Sequence, residues 1–210
     1  MQVIMPLIKE RPLGIAFSGG ADSIVAAHTL RKYKPILYHF NHKLIIEDDV
    51  IEASARQAAL RLNLPFVSQR STETYQTGST EAYCREQRYK WFKTLGGTLV
   101  TAHNLSEATE SYLMNCLSGN PEYTPIPIEN TFGSTRIVRP LILNTKVEIL
   151  HYIDRYKLNS LVVSDPLNND LSRRRNWLRH EILPQIKQRT NVEKVVKKRY
   201  LKLLNELKDQ

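Results

Sequence analysis

The strongest chemical signal in the chain is Ser18-Gly19-Gly20-Ala21-Asp22-Ser23, which follows the apolar run Leu13–Phe17 and precedes a helical pattern through Ile24, Ala27, His28 and Leu30. A turn from a buried parallel strand into a helix lies at the carboxyl end of a sheet, where α/β proteins bind ligands. Two glycines let backbone N–H groups approach an anion closely, the helix start adds its positive end, and the hydroxyls of Ser18 and Ser23 are donors. Together these residues predict a phosphate nest. Asp22 beside such a nest is repelled by phosphate unless a divalent cation intervenes, so it is read as a Mg²⁺ ligand. The bland alternative is a strand–helix turn with a Gly-Gly hinge and an aspartate cap.

Strand and helix patterns alternate around this loop. Pro35–Phe40 reads as a second strand, Asp48–Leu62 as a helix with acids crowding its first turn, and Pro65–Ser68 as a third strand. Ser79–Leu95 is helical and stops at Gly96-Gly97, Leu99–Ala102 is a fourth strand, and Glu107–Leu117 is a further helix. This alternation predicts an α/β fold, a parallel sheet flanked by helices and built from right-handed βαβ units. Asn120–Arg136 has no period and reads as a loop. Lys146–Tyr156 is helical, Ser160–Val163 extended, Arg175–Arg189 helical but broken at Pro184, and Val192–Leu207 an amphipathic basic helix. Two units are expected, residues 1–185 carrying the loop and residues 186–210 forming a basic helical tail.

Composition bounds the rest. A chain of 210 residues, 41% hydrophobic and 24% charged, has a globular composition, which argues against wholesale disorder. No apolar stretch approaches the roughly 20 residues of a bilayer span. The first ten residues show neither a charged leader nor a small-residue cleavage site, so no secretory signal is expected. Cys84 and Cys116 are the only cysteines, which excludes a disulfide scaffold and a four-cysteine metal site; they read as core thiols of a reduced cytoplasmic protein. The net charge of +9 is uneven: residues 171–210 hold 12 Lys/Arg and 4 Asp/Glu, and the remaining 170 are nearly neutral. A basic segment on a neutral body predicts a polyanionic partner, nucleic acid above all, against the alternative of a solvated helix face.

Several stretches together resemble one family. SGGADS after a strand is similar to the PP-loop of ATP pyrophosphatases, which split ATP between the α and β phosphates. His39-Phe40-Asn41-His42-Lys43-Leu44 resembles the tRNA(Ile)-lysidine synthetase pattern His-x-Asn-His-Gly-Leu-Arg, with Lys43 for the glycine and Ile45 for the arginine. Glu81 to Tyr89 resembles that family's E-x-A-R-x-x-R-Y helix, with Arg85 and Arg88 at i,i+3. Thr101-Ala102-His103 through Asn115 is similar to T-A-H-H-x-D-D-x-x-E-T-x-L-M. Asn104, Ser106 and Ser111 depart from it, and Glu107 replaces an aspartate. Arg139-Pro140-Leu141, the helix with Lys146, Glu148 and Ile149, the stretch Asp165–Asp170, and Arg175–Pro184 resemble the family's remaining motifs. The likeness covers residues 13 to about 185, and implies a short form of tRNA(Ile)-lysidine synthetase without further C-terminal tRNA-binding domains.

The resemblance implies that residues 1–185 form an adenylation domain using ATP and Mg²⁺, and that the basic tail faces tRNA. The implied reaction adenylates the C2 carbonyl oxygen of the wobble cytidine in an isoleucine tRNA with a CAU anticodon; free lysine then displaces AMP. Ser18, Gly19, Gly20, Ala21, Asp22 and Ser23 would hold ATP. Asp22, His103, Glu107 and Arg175 would be catalytic. Glu107, Glu110, Arg85, Arg88 and Arg179 would bind lysine or tRNA. Plainer roles stay open: Glu107 and Glu110 as acids at a helix start, Arg85 and Arg88 as solvated partners of Glu81 and Glu86. Two other activities also stay open, a PP-loop tRNA thiolation enzyme and a catalytically impaired tRNA-binding relative.

Overall fold

The computed structural model describes residues 1–8, 11–73, 75, 79–120, 126–163 and 173–206. Its strands are β1 (Leu13–Ala16), β2 (Ile36–Asn41), β3 (Phe66–Arg70), β4 (Gly97–Val100), β5 (Glu129–Phe132) and β6 (Thr135–Val138). They form one sheet in the order β3-β2-β1-β4-β6-β5, parallel except for β5, which pairs antiparallel with β6 at the edge. The helices are α1 (Ala21–Leu30), α2 (Glu47–Arg61), α3 (Thr80–Phe92), α4 (Leu105–Leu117), α5 (Lys146–Arg155), α6 (Arg174–Trp177), α7 (Leu183–Arg189) and α8 (Val192–Glu206). None is long and apolar enough to cross a membrane.

The period-two alternation of strand side chains sends residues to two cores. Leu13, Ile15 and Phe17 join Ile24 and Val25 of α1, the alanines of α2, and Ile149 and Ile153 of α5 in the larger one. Ala16, Tyr38, Leu99 and Ile137 face the other way, against Tyr89 and Phe92 of α3. Gly14 is needed there, because a Cβ on it would lie 2.5 Å from the Tyr38 ring. β1 has β2 on one side and β4 on the other, because the chain runs outward through β2 to β3 and then returns across the sheet to the far side of β1 at β4. The loops after β1 and β4 therefore meet over a crevice at the carboxyl edge of the sheet.

The α/β reading holds, with corrections. The second half of the expected loop Asn120–Arg136 is a β-hairpin turning at Gly133-Ser134 (φ of Gly133 +56°), and β6 adds a fifth parallel strand beside β4. Residues 121–125 and the Asp165–Asp170 motif lie outside the described residues. Asn159–Leu161 is a single 3₁₀ turn rather than extended chain. Pro184 does not break its helix. Leu178–Ile182 forms a π-helical turn leading into α7, with Pro184 in α7's first turn. A wider turn accommodates a proline, which donates no N–H and crowds the preceding carbonyls.

α8 packs against α4. Val196 and Tyr200 belong to the main core, Tyr200 is 1% exposed, and its hydroxyl donates to the Ile126 carbonyl at 2.7 Å. Burying a side chain of that size contributes roughly 1.5–3 kcal/mol. Lys194, Lys198 and Lys202, four residues apart, are exposed on the opposite face.

Candidate active site

The loop after β1 is shaped by its own small side chains. Gly19 has φ +84°, a left-handed conformation that favours glycine. Its N–H donates to Ser23 Oγ (3.1 Å), the Gly20 N–H donates to Ser18 Oγ (3.2 Å), and the Ser23 hydroxyl donates to the Gly20 carbonyl (2.9 Å). The Val163 N–H donates to the Gly19 carbonyl, fixing the loop's outer side. α1 begins at Ala21 with Gly20 as N-cap and no side-chain cap, so its first-turn N–H groups face the crevice. That is the arrangement in which a helix start takes an anion.

Across the crevice, Asn104 links α4 to α1. Its Oδ1 accepts from the Glu107 N–H (3.0 Å), and its own N–H donates to Glu107 Oε2 (3.1 Å), completing a capping box at the start of α4. Its Nδ2 donates to Asp22 Oδ1 at 2.7 Å. The other Asp22 oxygen accepts from Lys146 Nζ at 2.5 Å, reaching in from the first residue of α5. Burial, and then the nearby Asp22 charge, push the Glu107 carboxyl up to about 7. Among the described residues no group of three or more His, Cys, Asp or Glu could enclose a metal. One or two carboxylates beside a phosphate nest are nevertheless the donor set Mg²⁺ uses when phosphate oxygens and water complete its shell, and Lys146 marks Asp22 as facing cationic charge. The residues present fit the ion.

His103 lies beyond the carboxyl end of β4, its Nδ1 3.0 Å from Thr101 Oγ1. Burial, followed by the charges of Arg139, Arg88, Arg175 and Arg85, lowers its pKa to about 3, so it is a neutral imidazole surrounded by guanidinium charge. Arg88 lines the cavity, whereas Arg85 is exposed with its guanidinium 4.7 Å from the Tyr89 ring centroid. The i,i+3 pair is thus split between site and surface. Glu110 is buried and doubly clamped. Arg179 donates to both its oxygens (2.7 and 2.8 Å), and Arg175 Nε lies 3.3 Å from Oε2. Arg175 also donates to Ser111 Oγ, so the serine that replaces the family's threonine keeps the needed hydroxyl. Both Glu110 oxygens therefore already accept from arginines of the C-terminal helices.

The crevice opens into a cavity of about 580 Å³. Ser18, Asp22, Ser23, His103 and Glu107 line one side, and Tyr38, Phe40, Tyr89 and Phe92 give another side an aromatic surface. From β2, His39 Nδ1 donates to the Phe17 carbonyl (2.9 Å), tying the strand to the phosphate loop. Asn41 donates to Glu52 (2.9 Å) and accepts from the Lys43 N–H (2.9 Å). Lys43 has φ +57°, which explains why glycine suits this place; lysine adopts the same backbone at a cost of roughly 1–2 kcal/mol. Cys84 lines the cavity and burial raises its thiol pKa, while Cys116 is exposed on α4. The expectation of two core thiols is corrected, and the two cysteines do not meet at the loop.

The structure thus brings Ser18, Asp22, Ser23, His103, Glu107 and Arg88 to one cavity, ties Arg175 and Arg179 to Glu110 with Arg175 lining a neighbouring cavity, and leaves Arg85 exposed. Sequence reasoning missed Asn104, treated as a departure, and gave no role to Lys146 or Arg139. The pattern Asn-x-x-Glu at 104–107 is a capping box and was a readable signal for the first. Nothing local indicated that Lys146 would reach Asp22, 124 residues away.

Comparison with known proteins agrees with this geometry. The chain is 32% identical over 201 residues to a tRNA(Ile)-lysidine synthase from Coxiella burnetii, covering 90% of this chain and 44% of that one. It is 32% identical over 200 residues to a protein of the same name from Serratia proteamaculans, covering 90% and 45%. It therefore spans less than half the length of these relatives. The U34-tRNA thiolase of Methanococcus maripaludis superposes with a TM-score of 0.70 over 92% of this chain and 71% of that one, at 16% identity, a likeness of fold. The sequence profile of the PP-loop domain matches residues 1–186, and the segment it matches contains the glycine loop, Asp22 and the facing turn of α4: the chain belongs to the ATP-binding PP-loop domain family.

Proposed function

We propose that the chain catalyses the tRNA(Ile)-lysidine synthetase reaction. The C2 carbonyl oxygen of the wobble cytidine attacks the α-phosphate of ATP and releases pyrophosphate. The side-chain amine of free lysine then attacks C2 and AMP departs. The observation that carries this reading is the Asp22–Asn104–Glu107 arrangement, which couples the phosphate loop to a carboxylate whose pKa lies near neutrality.

Each step asks something of named groups. The first-turn N–H groups of α1 and the Ser18 hydroxyl bind the departing phosphates, where charge develops in the transition state, while Ser23 holds the loop in shape. Mg²⁺, held by Asp22 with Glu107 beside it, would neutralise pyrophosphate charge. Arg88 supplies fixed positive charge to the same cavity. His103, kept neutral by burial and then by its arginine neighbours, donates or accepts one hydrogen bond at the base or the α-phosphate without adding charge. Lysine must lose an ammonium proton to become a nucleophile, and a carboxylate raised to about 7 is matched to accept it near physiological pH. Glu107 takes that role alone, since Glu110 is committed to Arg175 and Arg179. The exposed Lys194, Lys198 and Lys202 face of α8 suits a tRNA backbone. Free lysine, ATP and tRNA are cytoplasmic substrates, and the proposed site of action is the cytoplasm.

The test is an incubation of protein, ATP, Mg²⁺, lysine and an isoleucine tRNA with a CAU anticodon, digested and examined by mass. Lysidine is expected. ATP turnover without lysidine overturns the proposal in favour of thiolation, and tRNA binding with no ATP turnover by folded protein overturns it in favour of a catalytically impaired relative. Thiolation that relies on a cysteine pair is disfavoured by the placement of Cys84 and Cys116.

A further inference from the structure

α8 lies beyond the segment that matches the PP-loop domain, yet one of its side chains reaches the wall of the site. Glu193, in the first turn of α8, has a side chain only 15% exposed. Its Oε1 accepts from the Ser106 hydroxyl at 2.5 Å and from Lys187 Nζ at 2.9 Å. The same Ser106 oxygen accepts the N–H of Lys146 at 3.0 Å, and Lys146 Nζ rests on Asp22. A hydroxyl has one proton. With that proton committed to Glu193, the oxygen's lone pairs turn towards Lys146, whose first-turn N–H has no acceptor within its own helix. The chain of contacts runs from α8 through α4 to the start of α5 and ends on Asp22.

Position 106 is also a departure from the family pattern: serine stands where the resembling family carries an aspartate. Serine alone supplies no carboxylate at this point. We propose that Glu193 is a positioning residue that delivers this carboxylate from α8, orienting Ser106 so that Lys146 is held against Asp22 in the ATP site. An ordinary first-turn acid would act only on its own helix dipole and on Lys187. The buried contact to α4, and the onward contact from Ser106 to α5, are what such a role leaves unexplained. The inference rests on ATP being bound at the glycine loop and does not require that lysidine be the product.

The experiment moves the carboxylate from one helix to the other. ATP affinity in the presence of Mg²⁺ is measured by calorimetry, without tRNA or lysine, for wild type, Glu193→Ala, Glu193→Gln and the double variant Ser106→Asp/Glu193→Ala, with melting temperatures in parallel. Loss of an outer-shell partner typically costs 10–100-fold, so Glu193→Ala should weaken ATP binding by about tenfold or more. Glu193→Gln, which keeps an oxygen to accept the Ser106 hydroxyl, should stay within roughly threefold of wild type, because the relay needs an acceptor and not a charge. The double variant should recover to the same range, since an aspartate at 106 accepts the Lys146 N–H directly. If Glu193→Ala proves unstable, the double variant and Glu193→Gln still decide the matter. Wild-type affinity in Glu193→Ala, no recovery in the double variant, or a tenfold loss in Glu193→Gln overturns the assignment. A protein that binds ATP in this pattern but makes no lysidine would sink the proposed reaction and leave Glu193 its role.

Discussion

Replacing Glu110 by glutamine separates two roles that the sequence left open. The side chain keeps its shape and loses its charge, and one acceptor becomes an amide donor facing an arginine N–H. The carboxylate is 4% exposed, while the Arg175 and Arg179 side chains are 34% and 33% exposed. Removing one partner of a fully buried ion pair costs about 3–5 kcal/mol. Solvent reaching the arginines reduces that, and we expect about 2–4 kcal/mol. For a chain of this size the loss corresponds to a melting temperature lower by roughly 4–16 °C. The assay is thermal unfolding followed by circular dichroism, with lysine KM measured on the same preparation below the transition. A carboxylate serving the substrate ammonium would give the opposite pattern. A melting temperature within about 1 °C of wild type, together with a raised lysine KM, refutes the anchoring role.

Asp22→Ala should abolish AMP release while tRNA binding, measured by filter retention, persists; turnover in that variant removes Asp22 from the ATP site. Glu107 titrates near 7 in the folded chain against an ordinary value of 4.5, so its protonated form stabilises the fold fully below about 4.5 and that contribution is lost as pH rises through about 7. Melting curves over this range should show a decline in wild type that Glu107→Gln lacks, and turnover in wild type should rise with pH through about 7 as the base form appears. Reversing Lys194, Lys198 and Lys202 to glutamate should weaken tRNA binding and flatten the slope of log affinity against log salt by about one for each phosphate no longer neutralised, with ATP affinity unchanged. An unaltered salt slope places the RNA on another face.

The glycine loop and the parallel sheet were legible because each depends on local chemistry, a turn geometry and a period. The hairpin Glu129–Val138 was hidden by Pro, Thr and Asn in the segment before it, although Phe-Gly-Ser-Thr at 132–135 is a short turn flanked by strand-forming residues. What sequence could not reveal was pairing at a distance. Glu110 reads as a free acid until α6 and the following π turn bring Arg175 and Arg179 to it, and Asn104 reads as a lost histidine until its amide is seen on Asp22. Lys43 is intermediate: the sequence marked only its departure from a glycine, and the structure shows the lysine at φ +57°.

The seat of Tyr200 under the main sheet has a consequence in time. Synthesis proceeds at about 5–20 residues per second, so the phosphate loop at residues 18–23 emerges roughly 10–35 s before the residue whose hydroxyl closes on Ile126. During that interval the apolar surface later covered by Val196 and Tyr200 has nothing on it. A nascent chain interrupted before α8 therefore carries a complete glycine loop beneath an open core, a species for chaperones and proteases to find, and the domain becomes one closed body only when α8 arrives.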